Sequence, residues 1–121
     1  MSRDPRLRLA DVVECAERAT SYAGGTTLAE FAGDHQVQDA VTYALLVIGE
    51  ATKHVPTDLK ARAPGVDRVG ATRFRDRAAH GYDSRDVAVI WRIVREILPG
   101  HRAGVAALLA ELDAENPPEP E

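Results

Sequence analysis

A chain of 121 residues, 45% of them apolar, can bury one real core but not two independent ones. Its apolar content is mostly Ala, Leu and Val, with one Trp, two Phe and three Tyr, which suits helices packed closely through small side chains. The formal net charge of −4 argues against a protein that binds nucleic acid by bulk charge, and a lone Cys15 excludes an internal disulfide. Cys15 reads as a small core residue. The stretch Leu9 to Glu14 is amphipathic rather than a continuous apolar run, and no segment approaches a membrane span. A cytoplasmic location without membrane contact is therefore expected.

Helical periodicity runs through the chain. Asp4-Pro5 starts the first helix, with Asp4 as cap and Pro5 in the first turn, where a missing N–H costs nothing. Leu9, Val12, Val13, Ala16 and Ala19 recur at helical spacing until Gly24-Gly25, which predicts a helix over 5–23. Thr27 caps a short helix through Phe31, and Asp34 caps the next. Val37, Ala40, Val41, Ala44, Leu45, Ile48 and Ala51 trace the clearest apolar stripe, ended by Pro56. Residues 56–72, with Pro56, Pro64 and Gly65, read as a connector holding a turn or two of helix.

A short helix from about Thr72 to His80, closed by Gly81, is expected next. Asp86 then caps a helix with the stripe Val87, Ile90, Trp91, Val94, Ile97 and Leu98, and Pro99-Gly100 breaks or kinks it. Val105, Leu108, Leu109 and Leu112 continue apolar spacing to about Ala114. The fold class is all-α: an antiparallel helical bundle over residues 1–115 that dimerises, with a disordered acidic, Pro-rich tail over 116–121. Dimerisation is expected because the stripes along 37–55 and 86–98 hold more apolar positions than one thin bundle needs. Tyr22 and Tyr43 read as packing residues.

The stretch most suggestive of chemistry is Phe74-Arg75-Asp76-Arg77-Ala78-Ala79-His80-Gly81-Tyr82. It gathers a phosphate-binding guanidinium, an imidazole that titrates near neutrality and a phenol within eight residues. From Lys60 to His80 six cations stand against two acids, so this window is +4 while the rest of the chain sums to −8. On a straight helix Arg75 and His80 lie about 140° apart, so they converge only if the helix ends near Gly81, the long Arg side chain reaches around, or a second subunit contributes. Without further context Arg75 and Arg77 also read as solvated helix charges, His80 as a helix-end side chain and Tyr82 as a packing residue.

These residues, with Arg3-Asp4-Pro5-Arg6-Leu7, Val37-Gln38-Asp39-Ala40-Val41, Ile48-Gly49-Glu50-Ala51, Trp91 and Leu98-Pro99, give the chain a pattern that resembles the HepT-like toxins of the HEPN superfamily of helical ribonucleases. The resemblance covers roughly residues 3–98. It implies a homodimeric, metal-independent endoribonuclease acting on RNA, with an Arg-x4-His-x-Tyr motif at the dimer interface and no cofactor. It further implies the toxin half of a type II toxin-antitoxin pair, partnered by an MntA-type nucleotidyltransferase antitoxin that adds AMP to the motif tyrosine, here Tyr82. Two positions depart from the family pattern. The residue after the motif Arg, commonly Asn, is Asp76, and Asp83-Ser84-Arg85 replace the usual aromatic and aliphatic residues after the motif Tyr.

The residue types fit that chemistry. Cleaving RNA without metal requires a base for a ribose 2′-hydroxyl, cations for the phosphorane and an acid for the leaving 5′-oxygen. Two copies of His80 near a two-fold axis supply one neutral and one protonated imidazole, and Arg75 holds the phosphate through two parallel hydrogen bonds. Asp76 and Arg77 are supporting positions, Arg77 either steering RNA or pairing with Asp76. Glu50 is a further candidate for the same cleft, although a charge late in an amphipathic helix also fits the solvated face. His35, His54 and His101 show no metal-ligand spacing, so no metal is expected. Two other functions share parts of the pattern: an inactive HEPN-like dimer that only binds its nucleotidyltransferase, favoured by Asp76, and a helical DNA-binding regulator, for which no helix-turn-helix signal is visible.

Overall fold

The computed structural model describes residues 4–63 and 84–117, with side chains in the second stretch described from Val87 onward. Every element among them is a helix: α1 (Pro5–Ala23), α2 (Leu28–Ala32), α3 (His35–Lys53), α4 (Thr57–Ala61), α5 (Ser84–Arg92) and α6 (Leu98–Glu115), the last two joined by a π-helical turn, Ile93–Ile97.

Local chemistry sets the first three starts. The Asp4 carboxylate accepts from the Arg6 N–H at 2.9 Å, and Pro5 occupies the first turn. Thr27 and Glu30 form a reciprocal capping box: the Glu30 N–H donates to the Thr27 hydroxyl at 3.1 Å and the Thr27 N–H to the Glu30 carboxylate at 2.9 Å. Asp34 accepts from the Val37 N–H at 3.1 Å. These are the caps the sequence predicts. Pro56 lies beyond the end of α3, where it forms the N-terminal boundary of α4.

Helix α1 is the hub, packing on both α3 and α6. Its inward line is Leu9, Val12, Ala16, Ala19 and Ala23. Three alanines in that line allow the helix backbones to approach closely, where larger side chains would hold them apart. Both neighbours run antiparallel to α1. Leu9 and Val12, near its start, meet Thr52 and Val55 from the end of α3, and Arg6 reaches Asp113 near the end of α6 at 3.7 Å. Phe31, Leu45, Ile48, Ile90 and Leu98 are the largest fully enclosed core side chains.

Three expectations change. Helix α5 begins at Ser84, so Asp86 sits inside the first turn instead of capping it. An acidic residue in a first turn suits the positive end of the helix dipole as well as a cap position does, so composition alone does not separate the two. Pro99-Gly100 does not end the helix, because the π turn Ile93–Ile97 runs directly into α6. Pro99 has no N–H for the carbonyl four residues back, and the π turn absorbs this: the Leu98 N–H bonds to the Ile93 carbonyl, five residues back. The wider turn brings Ile97 out to 45% exposure and leaves Leu98 in the core. Tyr43 and Tyr22, read as packing residues, are exposed, Tyr43 at 68%.

Candidate functional site

Arg75, Asp76, Arg77, His80 and Tyr82 lie outside the described residues, as do the expected helix over 72–80 and its closing glycine. Of the sequence-derived site residues, Glu50 falls within them. It stands on the solvent side of α3, where its carboxylate is 3.0 Å from Nε2 of His54, one turn further on. The i,i+4 spacing of Glu50 and His54 puts both side chains on one face of the helix. The pair places a carboxylate beside an imidazole at the exposed end of α3.

The described chain on either side of residues 64–83 is firmly tied down. Arg62, at the end of α4, forms ion pairs with Glu115 and, at 3.5 Å, with Glu111 near the end of α6. The Glu115 hydrogen bond raises the Arg62 guanidinium above its ordinary range and lowers the Glu115 carboxyl. Lys60 extends back to the Lys53 carbonyl at 3.5 Å. On the other side, the Trp91 indole N–H donates to the Thr26 carbonyl at 3.3 Å. Arg95 lies over the Trp91 ring, 4.9 Å from its centroid, and donates to the Gly24 and Thr26 carbonyls at 2.9 and 3.2 Å. Trp91 is thereby a packing residue with its polar edge satisfied by the turn between α1 and α2.

His101 is enclosed in the core and His35 lies at the exposed start of α3. Cys15 is half-buried, and burial pushes its thiol up, away from the reactive thiolate. Among the described residues no three His, Cys, Asp or Glu side chains are grouped as a metal site would require. No described helix is long and apolar enough to cross a membrane.

The all-helical fold agrees with comparison to known proteins. The chain belongs to the ribonuclease HepT-like family, whose profile matches residues 12–108. "Probable ribonuclease HepT" of Thermococcus cleftensis is 34% identical over 99 residues, 82% of this chain and 90% of the relative. "Putative RNase MJ0127" of Methanocaldococcus jannaschii is 31% identical over 114 residues, 94% of each chain. No solved structure matches the chain. The fold is thus all-α and HEPN-like.

Proposed function

We propose that this protein is a metal-independent RNA endonuclease of the HEPN type. The observation that carries the reading is the complete Arg75-x4-His80-x-Tyr82 pattern, which falls inside the region matched by a family described as ribonucleases. Arg75 binds the scissile phosphate and His80 moves protons at the 2′-hydroxyl and the leaving oxygen. A homodimer supplies the second imidazole, while Asp76, Arg77 and Glu50 support the cleft. The finer reading makes it the toxin of a pair with an MntA-type nucleotidyltransferase antitoxin, which silences it by adding AMP to Tyr82. A cytoplasmic location accords with that role.

The deciding experiment is cleavage of a labelled single-stranded RNA in EDTA by wild type and His80→Ala. Wild-type cleavage that is lost in the variant supports the reading, and equal activity in both overturns it. Asp76 favours one second reading, because it puts a negative charge where an RNA phosphate would approach: a HEPN-like dimer that only binds its nucleotidyltransferase. Absence of wild-type cleavage together with stable capture of the nucleotidyltransferase would select that reading instead.

A further inference from the structure

Two described stretches border residues 64–83 in the chain, and unlike forces hold them. Helix α5 is gripped by the core: Val87 and Ile90 are buried, and the Trp91 indole is hydrogen-bonded to the Thr26 carbonyl. Helix α4 has no buried residue. Leu59 and Ala63 are only partly buried against the core, and Lys60 and Ala63 share a cavity of about 20 Å³ with Leu9, Val12, Val105 and Leu108, so packing there is incomplete. Little apolar burial therefore fastens α4.

Among the described residues, the contacts that fasten it are ionic. The Arg62 guanidinium, directly after α4, grips the Glu115 carboxylate through both terminal nitrogens, Nη1 at 3.3 Å, and reaches Glu111 at 3.5 Å. These carboxylates stand on a fixed post. Leu108 and Leu112 anchor the end of α6 in the core, and Arg6 donates to the Asn116 carbonyl at 3.0 Å. The Arg62, Glu111 and Glu115 side chains keep 37%, 60% and 52% of their surface in solvent, so dissolved salt reaches all three. Such exposed pairs add little to global stability, but they decide the state of an element that little else holds.

We propose that Arg62, Glu111 and Glu115 form a salt-sensitive latch that holds α4 on the bundle and so positions the chain leading from Ala63 toward Arg75, His80 and Tyr82. Arg62 is then a positioning residue that acts through the chain. Its consequence for cleavage rests on the reading under Proposed function, whereas the latch itself does not. Screening or removal of the ion pairs releases α4 while the α5 side, held by the core, stays seated.

The test follows a thiol introduced by Ala63→Cys into the full chain with Cys15→Ser, labelled by iodoacetamide, a neutral reagent. Raising sodium chloride from about 0.1 M to about 1 M cuts the screening length from roughly 10 Å to roughly 3 Å and should speed labelling about fivefold. Adding Glu111→Gln with Glu115→Gln, or Arg62→Gln alone, should give the fast rate already at low salt and abolish the salt response. Wild-type Cys15, half-buried on α1, is the reference and should keep its rate. Labelling at position 63 that ignores salt and these substitutions, or an equal rise at Cys15, overturns the latch. At fixed salt the double glutamine variant should also cleave RNA with kcat lowered by a similar factor and KM not raised, because it removes acids and no cation. Faster labelling with unchanged kcat overturns the positioning role. A wild type that does not cleave RNA overturns the function proposed above, and the labelling rates still decide the latch.

Discussion

The buried Gln38 side chain on α3 donates its amide to the Phe31 carbonyl at 2.8 Å and to the Ala32 carbonyl at 3.0 Å, closing the C-terminal end of α2. A five-residue helix cannot satisfy its last carbonyls by itself, so this one polar side chain in an apolar interface fixes α2 on α3. Gln38→Met keeps the volume and removes the donors. It should cost about 1–2 kcal/mol, read as a lower thermal midpoint by circular dichroism. Gln38→Glu should cost more at neutral pH, because a carboxylate then faces two carbonyl oxygens.

Thr52 presents the opposite case. The residue is 6% exposed on the last turn of α3 and its buried hydroxyl has no hydrogen-bond partner, beside a cavity of about 20 Å³ walled by Leu9, Val12, Val55 and Val105. Replacing an unsatisfied hydroxyl by a methyl of the same shape removes a desolvation cost and loses no bond. Thr52→Val should therefore raise stability by about 1 kcal/mol, whereas Thr52→Ala, which enlarges the cavity, should gain less or lose. Urea unfolding midpoints of the two variants, compared at equal slopes, check the order.

Two glycines separate backbone need from mere permissiveness. A Cβ on Gly24 would stand 2.4 Å from the Thr20 carbonyl oxygen, inside the turn whose carbonyls hold Arg95. A Cβ on Gly100, in the first turn of α6, would meet nothing within 4 Å. Gly24→Ala should destabilise the protein, while Gly100→Ala should stabilise it by about 0.5–1 kcal/mol through helix propensity and a stiffer unfolded chain. Differential scanning calorimetry of the pair tests both signs.

The capping box gives a pH dependence. The Thr27 backbone N–H, and secondarily the Thr27 hydroxyl, hold the Glu30 carboxyl below its ordinary value of 4.5. A carboxyl depressed in the folded state contributes stability that is present above the unfolded value and fades as pH falls through the folded one. Glu30→Gln should lower the melting temperature slightly at pH 6–7, and the gap from wild type should close below about pH 4. A gap that stays constant between pH 7 and pH 3 would separate the effect from Glu30 ionisation.

What was legible in the sequence was local. Asp4, Thr27 and Asp34 announce helix starts because a cap needs only a short oxygen-bearing side chain and the next turn's N–H groups. The Leu9-to-Ala19 and Val41-to-Ala51 stripes announce buried faces because their period matches the helix. The surprises depended on neighbours. Pro99-Gly100 has breaker chemistry, yet a π turn five residues long carries the helix past it. Tyr43 is apolar enough for a core, but at its angle around α3 it falls opposite α1. The site itself remains a sequence pattern, since Arg75, His80 and Tyr82 lie outside the described residues, and Glu50 contributes an exposed contact with the His54 imidazole.

On the function proposed above, Tyr82, two residues from His80 in sequence, is the AMP acceptor: its phenol would attack the α-phosphate of ATP, with its proton passing to a base and pyrophosphate leaving. The product carries a bulky, negatively charged phosphodiester close in sequence to Arg75 and His80, the groups assigned to substrate phosphate. It would compete for those cations and crowd the cleft. Co-expression with the cognate nucleotidyltransferase should therefore add one or more AMP groups to the wild type and suppress RNA cleavage. Tyr82→Phe should stay at its unmodified mass and, if its fold is intact, remain active in the presence of the same partner. Arg75→Lys should cleave poorly even when unmodified, because an ammonium lacks the planar fork that grips a phosphate through two bonds. Intact-mass spectrometry and an RNA cleavage assay on the same preparations check the set: an equal mass gain in wild type and Tyr82→Phe would move the modification to another residue.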